Sequence, residues 1–83
     1  MTLNVLYFAW VRERIGLPRE TVETGAETVA GLIDELRDRE ERYVAAFADL
    51  SALRVAVDQE LRDFDAPLAQ AREVAFFPPM TGG

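Results

Sequence analysis

The sequence predicts an α+β domain, a small mixed sheet with one main helix lying across one of its faces. Three observations point there. The periodic segments run strand, strand, helix, strand, short strand, strand, a layout in which a sheet buries one side under a helix. One stretch alone, GAETVAGLIDELRDREE, has the 3.6-residue apolar period of an amphipathic helix. The other apolar segments alternate with a period of two or are rich in β-branched and aromatic residues.

Residues 3–9, LNVLYFA, read as the first strand. Strand side chains alternate, so Leu3, Val5 and Tyr7 facing inward put Asn4, Leu6 and Phe8 outward. WVRERIGLP follows as a short helical turn broken at Gly16 and Pro18. RETVET is a second strand, paired with the first as a half-exposed hairpin. Thr28 is the N-cap of the main helix. Val29, Leu32, Ile33 and Leu36 form its apolar stripe, and Asp34, Glu35, Arg37, Asp38 and Arg39 its wet face. Glu35 and Arg39 stand at the i, i+4 spacing of an ion pair, and Gly31 costs the first turn about 1 kcal/mol relative to Ala. YVAAFADL reads as a further helical turn or a loop anchored by Tyr43, Val44 and Phe47. In LRVAVDQELRDF, Val55 and Val57 face one way and Arg54 and Ala56 the other, with Asp58-Gln59 as the turn. DAPL is a second turn, with Pro67 setting φ. EVAFF is the last strand, with Val74 and Phe76 inward and Ala75 and Phe77 outward. Pro78 ends it, because proline has no N–H to donate to a ladder.

One face of such a sheet has no helix on it. Leu6, Phe8, Leu61 and Phe77 fall on that face and form an apolar patch beside the C-terminus, the kind of surface that marks a protein interface. The alternative is that a loop, or YVAAFADL itself, covers it.

Composition bounds the chemistry. The 83 residues suit a single domain, covering residues 1–77 with residues 78–83 as a tail. Hydrophobic residues make up 49% and charged residues 29%, so a packed core with a wet surface is expected. The net charge of −6 and pI of about 4.5 disfavour nucleic acid and steer the protein towards basic partners. The opening MTLNVLYFAW has no basic region and no apolar run reaches the ~20 residues of a bilayer span. We therefore expect neither signal peptide nor membrane anchor, and a cytoplasmic protein. There is no Cys, His or Lys, and Ser51 is the single serine. The usual nucleophile–base pairs and thiolate or imidazole metal sites cannot be built, so no metal site is expected and the chain is not expected to be catalytic alone.

The ending FFPPMTGG holds the remaining chemistry. Phe77 precedes a proline and is pushed to extended geometry. Pro78-Pro79 favours a stiff polyproline II arm. Met80 and Thr81 continue it to Gly82 and Gly83, which lack a Cβ and fit a narrow channel. Residues 78–83 would reach roughly 18–20 Å when extended, enough to carry a terminal carboxylate into another protein's active site.

These features together resemble the small, sulfur-carrying subunit of molybdopterin synthase, a β-grasp family similar in fold to ubiquitin. The resemblance covers the chain, from VLYFAWVRERIG through the central helix and VAVDQEL to EVAFFPPMTGG. Its specific part is Phe76, Phe77, Pro78, Pro79, Gly82 and Gly83. The chain departs from the family's pattern at Asp58-Gln59, where Asn followed by Gly is common, and at Met80, where a β-branched residue is usual. The resemblance implies a sulfur carrier in molybdenum cofactor biosynthesis, with no cofactor of its own. A partner activating enzyme uses ATP to adenylate the Gly83 carboxylate, and sulfur from a persulfide donor replaces AMP to give a thiocarboxylate. The tail then enters the large synthase subunit, in a heterotetramer of two small and two large subunits, and donates sulfur to a cyclic pyranopterin phosphate. Phe8, Leu61 and Phe77 become docking residues, with Arg12 a weaker candidate whose alternative is a solvated arginine. The competing readings are a sulfur carrier for thiazole, cysteine or tRNA thiolation, a ubiquitin-like modifier joined to lysines, and an interaction module with an inert tail.

Overall fold

The computed structural model describes residues 1–79. Its sheet has five strands, β1 (Thr2–Tyr7), β2 (Arg19–Glu23), β3 (Arg54–Val57), β4 (Glu60–Arg62) and β5 (Glu73–Phe77). They lie in the order β2-β1-β5-β3-β4. The central pair, β1 and β5, is parallel, and the other pairs are antiparallel. The sheet is therefore mixed, as expected. The first strand stops at Tyr7, two residues short of the expected end, because Phe8 and Ala9 turn the chain into the next helix.

Three helices pack on the inner face. α1 (Ala9–Ile15) ends at Gly16, whose φ of 88° is the left-handed C-cap that glycine adopts freely. α2 (Val29–Arg39) is the main helix, and the Thr28 hydroxyl accepts from the Gly31 backbone N–H as its N-cap. α3 (Glu41–Ala46) is the segment left open between helix and loop. Tyr43, Ala46 and Phe47 turn into the core, while Val44 is 43% exposed and anchors nothing. Phe47 meets the Phe76 ring edge-on with centroids 5.0 Å apart. Leu3, Val5, Val22, Leu32, Ile33, Leu36, Val55 and Val74 complete the buried layer between sheet and helices. Apolar burial on this scale supplies the main favourable term of folding.

The helix surface is less plain than its period implies. Glu35 does not pair with Arg39. Its carboxylate accepts from the Thr24 hydroxyl and, at 3.3 Å, from the Gly25 backbone N–H, while Arg39 donates to the Glu23 carbonyl. Both side chains tie α2 to the loop after β2, where they satisfy backbone groups that an exposed ion pair would leave to water. The ion pair on this face is Asp34 with Arg37.

A polar cluster fastens the helices to the sheet. Glu20, facing inward from β2, accepts from the Tyr7 hydroxyl at 2.8 Å and the Tyr43 hydroxyl at 2.5 Å. Arg42 pairs with Glu40 and donates to the Ile15 carbonyl at the end of α1. One group thereby joins β1, β2, α3 and the end of α1. Burial, followed by the hydrogen bond to Glu20, raises the pKa of Tyr7 well above the usual phenol value. The same causes raise Tyr43 to about 12. These are the chain's two tyrosines.

The β3–β4 hairpin turns at Asp58 (φ 50°) and Gln59 (φ 72°), both in the left-handed region that a two-residue hairpin of type I′ requires. The Asp58 carboxylate also accepts from the Arg72 and Glu73 backbone N–H groups at 2.9 and 3.0 Å, tying the turn to β5.

Two outcomes follow for stability. Gln59→Gly should stabilise the protein by about 0.5–1 kcal/mol, since glycine removes the left-handed penalty at that position; Gln59→Ala should bring no gain, as urea midpoints will read. Both tyrosines bind their proton more tightly folded than unfolded. Each contribution is fully present below the unfolded pKa of about 10; that of Tyr43 is lost as pH rises through about 12, and that of Tyr7, raised further, only at higher pH. In an alkaline titration, phenolate absorbance should therefore rise in one step together with the loss of circular dichroism. A normal phenol transition in folded protein would contradict the buried cluster.

Candidate functional site

The outer face of the sheet is read from register and alternation. Arg19, Leu6, Ala75, Ala56 and Leu61 stand opposite one another in a single row across all five strands. On the side of this row towards the start of β5, Thr21, Asn4 and Glu73 form a polar row. On the other side, towards the tail, Phe77 is opposite Arg54. Phe8 continues β1 beside Phe77, and its N–H donates to the Phe76 carbonyl at 3.1 Å. The face therefore passes from polar, through an apolar row, to two phenylalanines and an arginine where β5 releases the tail.

None of the helices lies on this face, so YVAAFADL does not cover it. Phe8 is 46% and Leu61 69% exposed. Leu6, Ala56 and Phe77 are half-buried, and Ala75 is only 8% exposed because Leu6 and Ala56 shade it on either side. The structure thus brings together Leu6, Phe8, Leu61 and Phe77 much as alternation predicts, with Leu61 projecting most and Phe77 partly tucked in.

Local backbone geometry sets the position of Phe8. Phe8 is extended, and Ala9 follows with a φ of 52°, a left-handed conformation that costs a non-glycine residue roughly 1–2 kcal/mol. That bend sends the chain into α1 and leaves the Phe8 ring outside the core. On α1, Arg12 is exposed and forms no ion pair among the described residues, while the Arg14 guanidinium lies 4.5 Å from the centroid of the half-buried Trp10 ring. Arg12 is on α1 and outside the rows of the patch.

Sequence reasoning missed Arg54 and Arg19 as members of this surface. Alternation placed Arg54 on the outward side of its strand, but only the register puts it opposite Phe77. Pro78 and Pro79 are half-buried and follow β5 without further secondary structure. Met80, Thr81, Gly82 and Gly83, including the expected reactive end, lie outside the described residues. A concavity of about 490 Å³ is lined by Glu23, Thr24, Gly25, Glu35, Asp38 and Arg39. It sits at the other end of the sheet, and Thr24, Gly25, Glu35 and Arg39 are committed to holding α2 and its loop. No group of potential metal ligands occurs among the described residues, and no helix there is long and apolar enough to cross a membrane.

Comparison with known proteins places this geometry. The chain is 42% identical to the molybdopterin synthase sulfur carrier subunit of Escherichia coli over 81 residues, covering 98% of this chain and 99% of the other. It is 35% identical to the protein of the same name from Haemophilus influenzae, again covering 98% and 99%. Among solved structures, a complex of subunits 1 and 2 of molybdopterin-converting factor from Helicobacter pylori contains a chain that matches over the full length of both, with a TM-score of 0.66 and 21% identity; at that identity it speaks for the ubiquitin-like fold. A profile of the ThiS family matches residues 5–83, and the chain belongs to the ThiS family.

Proposed function

We propose that this protein is the sulfur-carrier subunit of a molybdopterin synthase, working in molybdenum cofactor biosynthesis. The observation that carries the reading is the placement of an uncovered apolar row and two phenylalanines beside the point where β5 releases a Pro-Pro-x-x-Gly-Gly tail. Full-length identity to proteins named as sulfur carriers supports it. The complex of two converting-factor subunits supports a large-subunit partner, and we take the assembly to hold two of each.

The chemistry belongs to the terminal carboxylate, because this chain has no thiol, imidazole or amine side chain to take part. In an activating enzyme, the Gly83 carboxylate attacks the α-phosphorus of ATP and expels pyrophosphate. The terminal sulfur of a persulfide donor then attacks the acyl adenylate and AMP leaves; a second thiol of the donor system reduces the resulting acyl disulfide, becoming a disulfide itself, and a thiocarboxylate remains. Leu61, Phe77 and Phe8 seat the sheet on the large subunit, with Arg12 at the flank. Pro78 and Pro79 limit the arm's freedom, so less entropy is lost on insertion. Met80, Thr81 and Gly82 take the reactive end through the channel. There the thiocarboxylate sulfur attacks a carbon of the cyclic pyranopterin phosphate and displaces that carbon's oxygen substituent; water then hydrolyses the resulting thioester, leaving sulfur on the pterin and returning Gly83 as a carboxylate. Catalytic groups come from the partners, ATP is the activating enzyme's, and the setting is the cytoplasm.

Intact-mass measurement of protein isolated with its own C-terminus tests the carrier reading. One oxygen should be exchanged for sulfur in the last peptide. If sulfur never appears, even with activating enzyme, ATP and a persulfide donor, the reading is wrong. Deleting Gly83 should abolish transfer and leave the thermal midpoint nearly unchanged.

Docking and packing separate by face. Leu61→Arg and Phe77→Arg should weaken binding to the large subunit about tenfold or more, as loss of a central apolar anchor does. Leu61→Arg should change stability by less than about 0.5 kcal/mol. Phe76→Ala, one residue from Phe77 but inward, should cost about 3–5 kcal/mol. Titration calorimetry and urea unfolding of the three variants will read both quantities, and equal stability losses at Leu61 and Phe76 would contradict the assignment of faces.

A further inference from the structure

The outer face carries a charge order that apolar docking does not explain. Arg54 stands in register with Phe77, one strand away, about 4.8 Å across the ladder. Its guanidinium donates to the Leu53 carbonyl at 2.8 Å and the Ser51 carbonyl at 3.4 Å, and it forms no ion pair among the described residues. Arg19 stands on the same face, in the row of Leu6. At the other end of the face the charges reverse, with Glu73 beside Asn4 and Glu23 beside Thr2. Among the outward strand residues of a chain with net charge −6, cations thus lie towards the end where the tail leaves and anions at the other end.

Resting on the carrier reading above, we infer that Arg54 is a specificity-determining contact: it pairs with a carboxylate on the large subunit at the rim of the pocket that takes Phe77, and so fixes the direction in which the sheet docks. An apolar row across four strands lets a partner slide or rotate, because apolar contact is non-directional. A tail with only ~18–20 Å of reach cannot tolerate docking in the reverse sense, which would leave it pointing away from the active site. The charge order supplies what the apolar row lacks. In the productive orientation Arg54 meets a carboxylate; turned end for end, Glu73 and Glu23 would meet it and repel. The guanidinium fork is suited to this, since two of its contacts are to carbonyls at its base and its other N–H groups remain to grip a carboxylate.

The test uses the whole carrier and the large subunit of its own synthase. Arg54→Gln removes the charge, Arg54→Lys keeps it, and Arg54→Glu reverses it. All three should hold the wild-type Tm within a few degrees, as expected of an exposed side chain. At low salt, Arg54→Gln should weaken binding about fivefold, the scale of a rim ion pair. Arg54→Glu should weaken it further, and Arg54→Lys should recover most of the loss. The salt dependence of binding should be shallower for Arg54→Gln than for wild type. Arg54→Gln and Arg54→Glu binding as wild type does, with Leu61→Arg still weakened, would overturn the role of Arg54 and leave the carrier reading intact. If the wild-type carrier fails to bind the large subunit at all, both fall. Equal losses for Gln, Lys and Glu with unchanged salt dependence would also overturn the inference, since a carboxylate partner must tell these side chains apart.

Discussion

The parallel pairing of β1 with β5 is the constraint on which the rest of the molecule depends. Val5 stands opposite Val74 and Tyr7 opposite Phe76, so both strands run out at the same edge of the sheet. That shared edge is why Phe8 and Phe77 are neighbours although 68 residues separate them in sequence. A parallel pair cannot be closed by a tight turn and needs a crossover. Here the crossover contains all three helices, and they fall on one side. One pairing therefore covers the inner face, bares the outer face and aims the tail. Antiparallel pairing would release the tail beside Thr2 and Glu23, against charged loops and away from every exposed aromatic.

The two faces use side-chain size in opposite ways. Inward, the large rings are central: Tyr7 stacks on Phe76 with centroids 6.3 Å apart, and Phe47 closes on Phe76 from the helical layer. Outward, the centre of the apolar row is Ala75 and Ala56, and the larger Leu6 and Leu61 stand towards its ends. Small residues at the centre allow a partner's side chains close to the backbone. They also keep the apolar area exposed in the free protein small, which limits self-association.

Much of this was legible in the sequence because it rests on local rules. The Thr28 cap, the stripe of α2, the inward Val55 and Val57 and the turn at Asp58-Gln59 are all consequences of spacing within a few residues. The outer patch was legible for the same reason, since alternation alone divides Phe76 from Phe77. What was hidden depends on contacts across the chain. Nothing local marks Glu20 as the acceptor for Tyr7 and Tyr43, which come from two other elements. The i, i+4 rule named Arg39 for Glu35, but Thr24 and Gly25 offered it hydrogen bonds through a loop whose path no spacing rule gives. Val44 looked like an anchor because the period of a six-residue helix is too short to rank its faces. Arg54 could be placed on the outward side of its strand, yet its position opposite Phe77 had to wait for the strand order.

On the proposed cycle, in which an activating enzyme and a large subunit both take the tail, one face would serve two proteins in turn. The two bind exclusively, and throughput depends on release as much as on capture. A very tight interface would stall the cycle, since affinity differences among related complexes lie mostly in the dissociation rate. A narrow apolar row with one strongly exposed leucine and a rim arginine is suited to moderate affinity. Orientation then comes from charge order and local concentration from the short tail, neither of which requires a large buried area. The buried Tyr7–Glu20–Tyr43 cluster fits the same logic. It stiffens the elements behind Phe8, so the docking surface is formed before a partner arrives and less ordering entropy is lost at each exchange.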